Sequence, residues 1–68
     1  MSQITFEQAS KKIQDLCARI EEVLDELEWY RNNQEKHRQL VNELARLITE
    51  LGIWSIIFGV LLVGELKR

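Results

Sequence analysis

The chain predicts an all-α protein, a single long heptad-patterned helix (a coiled-coil stalk) continuing into a short C-terminal transmembrane helix. Three observations carry that expectation. Apolar residues recur in alternating three- and four-residue steps from Phe6 to Leu51. The stretch 51–64 contains no charged side chain. Proline is absent and the three glycines lie at or beyond Gly52, so no helix breaker stands upstream.

The elements follow in order, with residues 1–4 expected as a tail. Thr5-Phe6-Glu7-Gln8 fits a capping box, in which the Thr5 hydroxyl accepts the Gln8 amide N–H, so a helix is expected from there. Residues 5–46 read as its amphipathic coiled-coil part. With Phe6 at position a, the a positions are Phe6, Ile13, Ile20, Leu27, Gln34, Val41 and Ile48. The d positions are Ala9, Leu16, Val23, Tyr30, His37, Leu44 and Leu51. None of these is Asp, Glu, Lys or Arg, in a chain that is 29% charged, so the register is a signal rather than chance.

The expected oligomer seam is Ile13, Leu16, Ile20, Val23, Leu27, Val41, Leu44, Ile48 and Leu51. β-Branched residues at a with leucine at d favour a parallel dimer. The stripe also widens, to Cys17 and Leu24 at e and to Leu40 and Leu47 at g, which suits a trimer, a larger bundle or a partner helix. Glu7 with Lys11, and Asp15 with Arg19, stand in the favourable acid-before-base order four residues apart. Gln34 and His37 would form a polar layer in the seam, setting register, with a pH response of His37 as the sharper alternative. Trp29 and Tyr30 are candidate partner contacts.

Residues 31–39 contain no aliphatic side chain, and Asn32-Asn33 could turn the chain into an antiparallel helical hairpin. The heptad phase is the same on both sides, however, and no glycine or proline assists a turn. A continuous helix of roughly 70 Å is therefore the expectation, with the hairpin as the alternative.

Residues 47–66 read as the transmembrane segment and 67–68 as a short tail. The uncharged core alone gives about 21 Å of helix, short of the roughly 30 Å hydrocarbon layer. Extended to 47–66 it suffices, with Glu50 and Glu65 near the ends, Trp54 near the interface and Lys67 and Arg68 outside. Gly52, Ser55 and Gly59 share a face, and Ser55-x-x-x-Gly59 has the small-residue spacing that lets membrane helices approach closely. Arg31, Lys36, Arg38 and Arg46 precede the span, which puts the N-terminal stalk on the cytoplasmic side. Residues 1–20 lack the apolar run of a secretory signal, so membrane targeting is expected from the C-terminal segment.

Several function classes fall away. A 68-residue soluble domain needs disulfides, metal or oligomerisation, and one cysteine cannot form an internal disulfide. No Cys/His group has zinc spacing, and a net charge of −2 without a basic block does not suit nucleic acid. No phosphate loop or triad is present, and carboxylates on a rod have no cleft to shift their pKa. No enzymatic activity and no cofactor are expected. The expected partners are the lipid bilayer, a second copy of the chain, and helices of a larger membrane complex. The function expected is a small single-pass, tail-anchored-like membrane protein with a structural or accessory role.

Two resemblances add alternatives. The helix-plus-apolar-tail layout resembles that of small phage lysis-associated proteins, which implies membrane perturbation. Leu62-Val-Gly-Glu-Leu-Lys-Arg68 is similar to the C-terminal docking peptides that load cargo into encapsulin shells, which implies a soluble helical oligomer or shell-docked cargo with a buried C-terminus.

Overall fold

A computed structural model describes residues 3–68. It contains two helices, α1 (Phe6–Trp29) and α2 (Gln34–Leu66), packed against each other as an antiparallel hairpin. The expected capping box starts α1. The Gln8 amide donates to Thr5 Oγ1 at 3.1 Å, and the Thr5 amide donates to Gln8 Oε1 at 2.9 Å. Two amide donors that the first helical turn leaves without partners are thereby satisfied.

The helix expected across residues 31–39 is instead interrupted, and the chain turns at Tyr30-Arg31-Asn32-Asn33. Tyr30 ends α1 with φ −106° and ψ 22°, its amide donating to the Glu26 carbonyl at 3.0 Å. The Asn33 amide donates to the Tyr30 carbonyl at 3.0 Å, closing the turn. Asn33 is extended, at φ −108° and ψ 99°, and its side chain accepts the Lys36 amide at 3.1 Å, capping α2. No described residue has positive φ, so this turn makes no use of the conformation that glycine supplies. That is why the lack of glycine did not keep the helix continuous. Glu35, in the first turn of α2, suits the positive end of the helix dipole.

The fold gives up the long rod for helix-on-helix burial. Its long axis is 52 Å, close to the roughly 50 Å of α2 alone. Leu16, Val23, Leu40 and Leu47 form the buried centre, with Ile20, Leu27, Leu44, Leu51 and Trp54 packed around them. Ala9 is also fully buried, nearer the open end. In α1 the expected d positions Ala9, Leu16 and Val23 point inward. In α2 the inward face is rotated. Its buried residues are Leu40 and Leu47, both at g, while Val41 and Ile48 at a are 42% and 52% exposed. A turn of non-helical residues need not preserve helical phase, and α2 docks on the g and d positions rather than a and d.

The ion pairs also differ from the expected Glu7–Lys11 and Asp15–Arg19 pairs. Lys11 pairs with Asp15 at 2.9 Å rather than with Glu7. Arg19 turns to Glu22 at 3.0 Å and crosses to Glu43 of α2 at 2.8 Å, rather than meeting Asp15. Cys17 and Leu24, which widened the stripe at e, are exposed.

Candidate functional site

Titratable groups define no chemical centre here. Among the described residues, no group of three or more His, Cys, Asp or Glu side chains could hold a metal ion. The densest charge cluster is structural. Arg19 Nε and Nη2 both donate to Glu43 Oε2, at 2.9 and 2.8 Å, and Glu26 lies 3.5 Å from Nη1. The hydrogen bonds that Arg19 donates to Glu43, then to Glu22, raise its pKa above the ordinary value. This cluster ties α1 to α2 through a guanidinium that stays protonated.

The candidate site is therefore a surface. Helix α2 is long and apolar enough to cross a membrane, and almost all of its most apolar stretch is left uncovered. Ile56 is 71% exposed and Val60 69%, with Ile53, Leu62, Val63 and Leu66 exposed beside them. The core helix of a soluble protein would bury such side chains. Here a single neighbouring helix can cover only one face, and from Leu51 to Val63 α2 carries no charge on any face.

Within this surface runs a second heptad-spaced stripe, Val41, Ala45, Ile48, Gly52, Ser55, Gly59, Leu62 and Leu66, all exposed except the half-buried Gly59. None is charged. A Cβ added at Gly52 or Gly59 would meet nothing within 4 Å, so packing against α1 does not demand glycine at either position. The three small residues expected to pack membrane helices thus lie off the intrachain seam.

The remaining candidates lie elsewhere. Leu16, Ile20, Val23 and Leu27 of α1, with Leu44 and Leu51 of α2, line the intrachain contact, and Ile13 is half-buried one turn before Leu16. Gln34 is exposed at the start of α2, and His37 is half-buried one turn later. Trp29 is 84% exposed at the hairpin tip, and the Lys36 ammonium sits 5.4 Å from the Tyr30 ring centroid.

At the open end, Phe6 stacks obliquely on Phe58, with centroids 4.8 Å apart. Together with the Arg19–Glu43 pair, this contact sets residues 51–58 alongside residues 6–13, while 59–66 extend beyond α1. The apolar segment therefore has Glu7, Lys11 and Lys12 as neighbours on α1. Each such charge costs about 2.5–3.5 kcal/mol at the centre of a membrane span. A closed hairpin would carry Glu7 into the bilayer beside the middle of the apolar segment, with Lys11 and Lys12 nearer its stalk end.

Comparison with protein families, with curated proteins and with solved structures finds no match to this chain.

Proposed function

We propose that this protein is a small single-pass membrane protein with a structural or accessory role, anchored through residues 47–66. Its helical hairpin stands at the cytoplasmic face, and it self-associates or docks onto helices of a larger membrane complex. The observation that carries the reading is the uncovered apolar half of α2, with Ile56 and Val60 turned to solvent. Water penalises such a surface, and a hydrocarbon layer does not. The excess of Arg31, Lys36, Arg38 and Arg46 before the span supports the orientation.

Self-association proceeds through the outer stripe of α2 rather than through the α1 seam, which the hairpin already occupies. Ala45, Gly52, Ser55 and Gly59 let two backbones approach, where dispersion and weak hydrogen bonds act without a hydrophobic driving force. A parallel pair is the favoured arrangement, and a trimer or larger bundle uses the same stripe.

Vesicle flotation followed by carbonate extraction tests the anchor. The protein is expected to float with the vesicles and stay in the pellet at alkaline pH. Release into the supernatant would exclude a transmembrane anchor. One observation favours a second reading, a soluble helical oligomer: Phe6, through Phe58, already shields part of the segment in water. In that case a defined oligomer persists without lipid or detergent. Depolarisation of expressing cells would instead point to membrane perturbation.

A further inference from the structure

We infer that the hairpin is a latch on its own membrane segment: insertion of α2 requires α1 to separate from residues 51–58, while the half nearest the turn stays paired. This rests on the membrane reading above. The latch is the contact of Phe6 with Phe58 and the burial of Ala9, both at the open end. It covers one face of the segment in water. It also places Glu7, Lys11 and Lys12 where the bilayer would have to accept them, so the closed form and the inserted form exclude each other.

The turn-proximal half faces no such conflict. Val23, Leu40 and the Arg19–Glu43 pair all lie on the stalk side of residue 47, outside the span. Keeping them paired costs the inserted state nothing. Opening is therefore confined to the first turns of α1. That segment carries Phe6, Ala9 and Ile13 on one face and Glu7, Lys11 and Lys12 on others.

The test uses the full chain with the exposed Cys17 replaced by serine and spin labels at paired cysteines. One pair, Lys11→Cys with Ile56→Cys, spans the latch. The other, Asp25→Cys with Gln39→Cys, spans the turn-proximal half. In buffer both separations are short. In vesicles of neutral and anionic phospholipid, carbonate-resistant protein is expected to show the first pair lengthened and the second unchanged. Carbonate-resistant protein with the first pair still short overturns the latch and leaves the anchor standing. Lengthening of both pairs overturns the confinement of opening to one end. Protein that never becomes carbonate-resistant removes the anchor itself, and the latch with it.

An independent arm weakens the latch. Ala9→Glu puts a charge at a fully buried position that becomes exposed when α1 lifts away. It is expected to raise the inserted fraction, at limiting lipid, by roughly fivefold or more. A fall in that fraction would mean that closure assists insertion, contrary to the inference.

Discussion

The two halves of α2 lie on the same uninterrupted helix, yet they meet opposite demands. Near the turn, residues 34–50 alternate apolar and polar positions, so one face docks on α1 and the other is left to water. From Leu51 to Val63 no face carries a charge, and a single neighbour cannot cover them all. In the first half Leu40 and Leu47 are buried, and Glu43 reaches across to Arg19. In the second half Ile56 and Val60 stand free. The comparison teaches that helix propensity and tertiary burial are separate matters. The backbone of α2 forms its hydrogen bonds throughout, while many apolar side chains of its last turns are left uncovered.

The largest effect that could break this contrast comes from the double substitution Ile56→Asp/Val60→Asp. It puts two charges into the proposed span, at about 2.5–3.5 kcal/mol each at the centre. Membrane retention in flotation should be lost while the hairpin's helical circular dichroism in buffer persists, because neither residue is buried. Val23→Asp is the converse. It places an unpaired charge at a fully buried position and should destabilise the hairpin by about 3 kcal/mol or more, read as loss of cooperative thermal unfolding. Retention by vesicles should survive it, since residues 47–66 are untouched. If each substitution abolished both properties, the two halves would not be separable.

Asn33→Ala removes the side chain that caps α2 and should cost about 1 kcal/mol, measurable as a lower thermal midpoint without loss of membrane retention. The smallest effect is expected from Arg19→Gln, which deletes an ion-pair hub on the surface and should give a minor destabilisation that fades with added salt. Its pH dependence has a definite sign. Arg19 has a raised folded pKa, so the stabilisation linked to its proton is fully present below the unfolded value. That stabilisation is lost only as pH rises through the folded value, in strong alkali. The difference in thermal midpoint attributable to the Arg19 proton should therefore stay constant through neutral pH.

Much of the helical content was legible in the residue order. Thr5 and Gln8 announced the start of α1, and the seven-residue spacing placed Leu16, Ile20, Val23 and Leu27 on a contact face. The turn was legible only as an alternative, because its marks were Asn33 and a run without aliphatic residues, and helices tolerate both. The rotated face of α2 also left a trace. Leu40 and Leu47 at g widened the stripe, and these two became the buried residues while Val41 and Ile48 turned outward. A wide stripe on a heptad sequence admits more than one docking face, and periodicity alone does not choose among them. The pairing of Arg19 with Glu43 had no sequence signal at all, since it joins residues that only the turn brings together.

Residue order alone determined that this chain is helical, that its helices are amphipathic up to about Leu51, and that an uncharged helix follows. These are consequences of local spacing, caps and composition, which act within a few turns. Only the tertiary structure decided that the helix folds back on itself, which face of α2 meets α1, and that residues 6–13 lie beside the apolar segment. Such choices balance burial between distant parts of the chain against a few local turn hydrogen bonds, and that balance is struck only when both helices are present to compete for the same apolar surface.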